Sequence, residues 1–139
     1  MLRRILIALL LVLFASPALA RELVVTIDIS EQTMSVRVDG VTEHRWAVST
    51  GRKGYSTPKG SYQPVRLERV WYSTKYDNAP MPHSIFFRGG YAIHGTTEVR
   101  NLGRPVSHGC VRLAPDNAAV LYSLVRQIGR ANTTIRVRS

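Results

Sequence analysis

The fold is decided by residues 23–40, which have the sequence LVVTIDISEQTMSVRVDG. Apolar and polar residues alternate over residues 23–29 and again over residues 34–38, with many β-branched residues, which is typical of strands with one buried face. Asp39-Gly40 is a strong signal for a two-residue hairpin, so residues 41–49 are predicted to form a third strand. The chain is therefore expected to build an antiparallel meander here.

The strand pattern continues after this meander. Residues 50–60 contain many turn residues and are predicted to be a connector loop, which could also form one wall of a cleft. Residues 61–67 regain strand character, and residues 84–93 are predicted to form a hairpin with Gly89-Gly90 near its turn. The alternating residues 133–138 predict a final strand.

One helix is predicted near the end of the chain. Pro115 suits a first helical turn, and Asp116 lies where the helix dipole favours negative charge. Gly129 is the predicted stop. Between these ends the apolar residues recur at helical spacing, namely Ala118, Leu121, Leu124, Val125 and Ile128. The fold class predicted from the sequence is therefore mainly β with one short α-helix.

Residues 68–84, the lid segment, show neither the strand nor the helix period. A compact domain rarely carries so long a loop unless the loop works as a lid or a binding element. Its side chains suit the gripping of a peptide or a sugar. Those side chains are Trp71, Tyr72, Tyr76, Met81, Pro82 and His83. The alternative is that the aromatic rings only pin the loop to the core.

The first 20 residues have the features of a secretory signal peptide. Two arginines form a positive start, residues 5–14 are an apolar run of ten, and Ala18-Leu19-Ala20 matches a cleavage site. The alternative is a membrane anchor, but a spanning helix needs about 20 apolar residues, more than this run contains. We therefore predict a signal peptide over residues 1–20 and a single domain over residues 21–139.

The chain is strongly basic. Its formal net charge is +10, which falls to +8 without the two arginines of the predicted signal peptide. The basic residues are scattered and no nucleic-acid recognition motif accompanies them, so nucleic acid is not an expected partner. Attraction to anionic envelope polymers or to a membrane surface fits an exported protein better. We expect a monomer in the periplasm or cell envelope, with no membrane span after cleavage of the signal.

The chemistry of the sequence is concentrated in residues 94–113, HGTTEVRNLGRPVSHGCVRL. This stretch holds the only cysteine, Cys110, and two of the four histidines, His94 and His108. A lone thiol in an exported protein is a buried passenger, an intermolecular disulfide or a nucleophile. The polar, glycine-rich surroundings favour the nucleophile. Because the paired spacings of zinc ligands are missing, no metal site is predicted.

A cysteine nucleophile needs a base, because a free thiol with a pKa of about 8.5 is mostly protonated at neutral pH. His108, two residues from Cys110, and His94, sixteen residues away, are both candidates. Backbone N–H groups of residues 107–110 lie at a glycine-containing bend, where they can stabilise the oxygen of a tetrahedral intermediate. A nucleophile, a base and an oxyanion hole together predict acyl transfer.

Several motifs resemble a known family. Residues 93–96, IHGT, followed by residues 107–113, SHGCVRL, resemble the signature of the L,D-transpeptidase catalytic domain, the YkuD-like family of bacterial cell-wall enzymes. Thr57-Pro58-Lys59-Gly60 and Met81-Pro82 are similar to further features of that family. The resemblance implies an L,D-transpeptidase-like β-sandwich, with its one short helix after the cysteine loop, residues 107–110. Residues 21–139 would then be the catalytic domain.

The resemblance also implies roles for individual residues. Cys110 would be the nucleophile, and His94 would be the general base and acid, with its imidazole oriented by the carbonyl of Gly95. The backbone N–H groups of His108, Gly109 and Cys110 would form the oxyanion hole. On this view the side chain of His108 supports the site and is not the base.

Four residues are predicted to bind substrate. Arg112 presents a planar guanidinium that suits a substrate carboxylate, although a structural salt bridge explains it equally well. Tyr72 and Met81 are the predicted contacts from the lid segment, and Ser107 is the predicted contact from the cysteine loop.

The resemblance further implies the substrate, which is a peptidoglycan tetrapeptide stem, typically with diaminopimelate at its third position. Cys110 would attack the carbonyl of that residue and expel the terminal D-alanine. The acyl group would pass to an amine of another stem, of an envelope protein or of a free D-amino acid. No metal or organic cofactor is needed for this reaction.

Two other functions stay open at this stage. An L,D-carboxypeptidase or amidase would share the acyl-enzyme and use water as the acceptor, and the two outcomes differ in how water is excluded. A non-catalytic, basic, envelope-binding module would make no use of Cys110. A papain-like endopeptidase is disfavoured, because its cysteine precedes its histidine in the chain, whereas His94 comes first here.

Overall fold

Two β-sheets and one helix, α1 (Pro115–Ile128), form the part of the chain that the computed structural model describes, residues 21–139. The predicted signal peptide, residues 1–20, lies outside the described residues. Short 3₁₀ turns cover Val99–Asn101 and Arg130–Asn132. The strands in chain order are β1 (Leu23–Asp28), β2 (Thr33–Val38), β3 (Val41–Ala47), β4 (Gly60–Tyr62), β5 (Arg66–Glu68), β6 (Ser84–Arg88), β7 (Tyr91–Gly95), β8 (Val111–Leu113) and β9 (Thr133–Arg138).

The first sheet has the strand order β3-β2-β1-β9-β4. Strands β1, β2 and β3 pair antiparallel, so the predicted meander is confirmed. The last strand, β9, lies parallel to β1, with Val25 opposite Ile135. Alternate side chains of β1 are fully buried because successive residues of a strand face opposite sides of the sheet.

The second sheet has the strand order β5-β6-β7-β8. Strands β6 and β7 form the predicted hairpin, and β8 lies parallel to β7. One face of this sheet packs into the main core through Ile85, Phe87, Ile93, Val111 and Leu113. The other face carries Phe86 and Ala92 in a smaller apolar cluster. The second sheet is therefore covered on both faces, and its second face lies away from the main core.

Helix α1 closes the core at one side. It begins at Pro115 and ends before Gly129, as the sequence predicts. Five of its side chains are buried among residues of both sheets, namely Ala118, Leu121, Tyr122, Val125 and Ile128. Leu124 is only half-buried. The predicted fold class, a mainly β sandwich with one short helix after the cysteine loop, is confirmed.

The predicted strand segment, residues 61–67, is divided between two strands, because the chain crosses from one sheet to the other inside it. Its first part belongs to β4 in the first sheet, and its last part belongs to β5 in the second. Buried Pro64 lies between the two parts. Proline has no N–H group to donate to a ladder, so the pairing breaks at this residue.

A buried glutamine links the β1–β2 turn to the connector. The Gln32 side chain donates to the Ile29 carbonyl at 2.8 Å and to Thr50 Oγ1 at 2.6 Å, and its own oxygen accepts the Thr50 N–H at 3.0 Å. The Thr50 carbonyl in turn accepts the N–H of Ser107 at 3.0 Å. The position of the cysteine loop therefore depends on a polar side chain 75 residues earlier in the sequence.

We predict that Gln32→Ala lowers the free energy of unfolding by about 1–3 kcal/mol, because it leaves the buried Thr50 N–H without a partner. Urea denaturation at neutral pH measures this change. Gln127→Ala, at an exposed position of α1, is the matched control and should change the same quantity by less than about 0.5 kcal/mol. Equal stabilities of the two variants would contradict the prediction.

Candidate active site

The parallel pairing of β7 and β8 determines which side chains meet. His94 lies opposite Arg112, and Cys110 immediately precedes β8. Alternate residues of paired strands share a face, so all three side chains lie on the face opposite Ile93 and Val111. His94, Cys110 and Arg112 line one cleft, which has a volume of about 770 Å³. The fold thus brings together residues that are sixteen positions apart.

The His94 imidazole is buried and held in one orientation. Its Nδ1 lies 2.7 Å from the carbonyl oxygen of Gly95. A carbonyl only accepts, so Nδ1 carries the proton and Nε2 is free to accept one. Gly95 is held in turn by its N–H bond to the Pro82 carbonyl at 2.9 Å. A Cβ at Gly95 would lie 3.3 Å from the Cβ of Ala118, so helix α1 packs directly against this residue.

Burial lowers the pKa of His94 from 6.5 to about 4, because the charged imidazolium loses its hydration. The hydrogen bond to Gly95 opposes this effect, and the positive charge of Arg112 adds to it. The imidazole is therefore neutral at pH 7.

Cys110 is half-buried, and its Sγ lies 3.7 Å from the carbonyl oxygen of Gly90. Burial raises the pKa of the thiol, while a backbone hydrogen bond at Ala92 and the charge of Arg112 lower it. The net direction is upward, so the thiol is protonated at neutral pH. Together with the neutral His94, this makes the resting pair a thiol and an imidazole, not a thiolate and an imidazolium.

Ser107 organises the cysteine loop from inside. Its buried hydroxyl donates to the Cys110 carbonyl at 2.6 Å and accepts the N–H of Gly109 at 3.0 Å. Both bonds are internal to the loop. Ser107 borders the cleft, but both bonds of its hydroxyl stay within the loop and support a structural role, so substrate binding by Ser107 stays a prediction.

Gly109 has a backbone conformation that only glycine adopts easily, with φ at +120°. A Cβ there would lie 2.6 Å from a ring carbon of Tyr91. Its carbonyl accepts a bond of 2.7 Å from Thr57 Oγ1, and that hydroxyl accepts the N–H of Gly51 at 3.0 Å. The TPKG motif thus places Thr57 where it ties the connector to the cysteine loop.

The expected oxyanion hole changes in one respect. The N–H of Gly109 donates to the Ser107 hydroxyl, so it is not free to meet a substrate oxygen. Within residues 21–139, the N–H groups of His108 and Cys110 have no protein acceptor. Two of the three expected donors, the N–H groups of His108 and Cys110, are therefore without a protein partner, and an oxyanion hole at this loop stays a prediction.

His108 lies between the lid segment and the connector. Its ring stacks on Tyr76 with the centroids 4.1 Å apart and meets the edge of Tyr55 at 5.1 Å. Partial burial and the positive charges of Arg52 and Arg112 lower its pKa. Of the two candidate bases, His94 lies on the buried sheet face, whereas His108 occupies an aromatic clamp at the mouth of the cleft.

The lid segment is an irregular hairpin and not a structureless loop. The Met81 N–H donates to the Trp71 carbonyl and the Ser73 N–H to the Ala79 carbonyl, each at 2.8 Å. Trp71 and Cys110 both pack against the apolar cluster that contains Met81, and all three residues line the cleft. Tyr72 is 51% exposed and does not line the cleft, because it lies between two residues that face inward. The cleft lining therefore includes Met81 and not Tyr72, and a substrate contact at either residue stays a prediction.

Sequence reasoning missed Tyr55 as a site residue. The connector looked like an ordinary loop, yet Gly54, Tyr55 and Ser56 form a wall of the cleft. The sequence did offer a signal, because residues 50–60 were a possible cleft wall. Tyr55 is the aromatic residue of that turn-rich segment, beside the TPKG motif, and it was the natural candidate to line the cleft.

Arg112 takes part in an ion pair and also faces the cleft. Its Nη1 lies 3.4 Å from Glu98 Oε2. The arginine side chain is 21% exposed and the glutamate 62%, so the pair borders solvent and binds weakly. The structural salt bridge is present, and the guanidinium is still available to a ligand in the cleft.

Two further findings concern the described residues, 21–139. The described residues contain no cluster of three or more His, Cys, Asp and Glu side chains arranged to hold a metal ion. No helix in the same range combines the length and apolar character that crossing a bilayer requires.

Comparisons with known proteins agree with this architecture. The curated protein YqjB of Bacillus subtilis (strain 168), a candidate L,D-transpeptidase by name, is 28% identical over 105 residues, which are 66% of this chain and 60% of YqjB. A crystal structure of an L,D-transpeptidase from Mycobacterium tuberculosis H37Rv superposes with a TM-score of 0.78 at 26% identity. This match covers 86% of the present chain and 58% of the other.

A structure of the LD transpeptidase LdtMt1 in complex with imipenem superposes with a TM-score of 0.74 at 25% identity, covering 84% of this chain and 59% of LdtMt1. The chain thus spans about 60% of the length of the proteins it matches. The family model of the YkuD L,D-transpeptidase catalytic domain matches residues 22–137. The chain therefore belongs to the YkuD family of L,D-transpeptidase catalytic domains.

Proposed function

We propose that this chain is an exported peptidoglycan L,D-transpeptidase that works through a cysteinyl acyl-enzyme. The observation that carries the proposal is the placement of Cys110 and a neutral, oriented His94 on one sheet face inside a cleft. The donor is a tetrapeptide stem, and the acceptor is an amine of a second stem, of an envelope protein or of a free D-amino acid.

The first step follows from the protonation states. His94 Nε2 takes the thiol proton as Sγ attacks the carbonyl carbon of the third stem residue, because neither group is charged beforehand. The negative charge moves to the carbonyl oxygen. The N–H groups of His108 and Cys110 are the donors available to stabilise it.

The second step releases D-alanine. The tetrahedral intermediate collapses as the C–N bond breaks, and the imidazolium of His94 gives its proton to the leaving amine. The acceptor amine then attacks the thioester carbonyl and passes a proton to His94. When the C–S bond breaks, His94 gives that proton to Sγ, and the thiol is restored. Trp71 and Met81 of the lid segment give the cleft that holds Cys110 an apolar lining, which supports transfer over attack by water.

Export and domain organisation belong to the same proposal. We infer that residues 1–20 direct the chain to the periplasm or cell envelope and that residues 21–139 act there as a monomeric catalytic domain. The net charge of +8 in that region supports attraction to anionic wall polymers.

Purified protein incubated with a tetrapeptide stem should release D-alanine and form cross-linked dimers, which mass spectrometry identifies. Dimers are expected because the apolar lining of the cleft disfavours attack by water on the thioester. Tripeptides as the main product would mean that the chain is a carboxypeptidase and not a transpeptidase. No reaction with any stem would favour the envelope-binding module.

A carbapenem should add one molecule to Cys110, since it acylates a thiol at an activated carbonyl, and LdtMt1 has been seen with imipenem. Intact mass should show the adduct in the wild-type protein and none in Cys110→Ala. His94→Ala should slow its formation by about 10²–10⁴-fold, which is the range of general-base catalysis. His44→Ala on β3, in the other sheet, is the control and should react at the wild-type rate.

The pH dependence of donor use should report the neutral fraction of His94. We expect kcat/KM for D-alanine release to rise with pH through a midpoint at about 4, and to stay level through neutrality. The sign follows from the base role, since protonation of Nε2 at low pH removes the acceptor. A midpoint at about 6.5, the usual value for histidine, would instead mean that the imidazole is solvated in the free enzyme.

A further inference from the structure

A second cavity lies outside the cleft, between helix α1 and the foot of the lid segment. Its volume is about 430 Å³. Arg69 and His83 line it from the lid segment, and Tyr122, Ser123 and Arg126 line it from α1. It shares no lining residue with the cleft that holds Cys110. We call it the lid-foot pocket.

The lid-foot pocket has a defined shape at its lid side. The His83 N–H donates to the Arg69 carbonyl at 2.8 Å, which clasps the two ends of the lid segment together. His83 has a left-handed backbone with φ at +52°, a conformation that non-glycine residues rarely adopt. Its ring meets Tyr122 edge to face at 5.3 Å. These contacts fix the side of the pocket from which Arg69 projects.

The charges around the pocket are all of one sign. Two guanidinium groups line it and no aspartate or glutamate does. Among residues 21–139, four arginines take part in ion pairs, but Arg69 and Arg126 are not among them. Two unpaired positive charges at one cavity repel each other, and an anion placed between them removes that repulsion.

The hydrogen-bond donors suit an anion with several oxygens. Each guanidinium offers a planar fork of N–H groups. The Ser123 hydroxyl accepts from Gln127 at 3.2 Å and keeps its own hydrogen to donate, and His83 adds a ring N–H. A carboxylate carries a single charge, whereas successive phosphates of a polymer bring one negative charge for each guanidinium and present bridging as well as non-bridging oxygens to the donors.

We propose that the lid-foot pocket binds a phosphate group carried by an anionic polymer. A polymer fits better than a membrane surface, because the apolar face of α1 is turned into the core. The exposed large apolar side chains beside the pocket, Val70 and Val120, are single residues and not a continuous face. Binding here would hold the chain on a phosphate-bearing strand while leaving the cleft free.

Titration calorimetry with inorganic polyphosphate at low ionic strength tests the proposal. The wild-type protein should bind saturably. Arg69→Gln/Arg126→Gln should bind at least about tenfold more weakly, because loss of one hydrogen bond from a charged group changes the dissociation constant by about tenfold. Arg45→Gln/Arg136→Gln removes the same charge from exposed positions on β3 and β9 and should stay within about twofold of wild type.

Equal losses in the two double variants would overturn the proposal, because they would mean that net charge alone attracts the polymer. Binding to phosphatidylglycerol vesicles without binding to polyphosphate would overturn it in favour of a membrane surface. Circular dichroism should show both double variants folded, since all four positions are exposed. Cys110→Ala should bind polyphosphate as the wild type does, so the result is independent of the proposed reaction.

Discussion

The parallel pairing of β7 with β8 is the constraint on which the whole site depends. In a parallel pair, side chains at matched positions project from the same face, so the register that sets His94 opposite Arg112 also sets Cys110 on the cleft side. A shift of the register by one residue would send the thiol into the main core. The core residues Ile93 and Val111 hold the register, because their burial would be lost in any other pairing.

Buried hydrogen bonds hold the backbone of the cysteine loop in its shape. Ser107 and Thr57 each bond two backbone groups, and Gln32 holds the adjacent segment at Thr50. Among the described residues, every buried side-chain nitrogen and oxygen has a partner. A satisfied polar network of this kind specifies one loop conformation, since breaking a single bond leaves a desolvated group behind. The same network consumes the Gly109 N–H and leaves those of His108 and Cys110 free.

Burial shifts the pKa values of the His94 imidazole and the Cys110 thiol in opposite directions, and both shifts favour the neutral form. It lowers the pKa of His94 and raises that of Cys110, so both are neutral at rest. In the proposed reaction, a cleft lined by Trp71 and Met81 would favour proton transfer during the attack over a standing ion pair. In the proposed scheme, the basic surface away from the cleft, including the lid-foot pocket, would act on where the chain resides and not on the reaction.

The sequence by itself determined the strands of the meander, the bounds of α1 and the identity of the thiol and the two candidate bases, because alternation, helix ends and rare residues are local signals. Only the tertiary structure decided that Tyr72 faces solvent, that residues 61–67 serve two sheets, and that the Ser107 hydroxyl and the Gly109 N–H are used up. The fold also decided which histidine lies on the buried face. These outcomes depend on register, burial and contacts across the chain, which local patterns do not specify; Thr57 and Gly109, for example, are 52 positions apart and share a hydrogen bond.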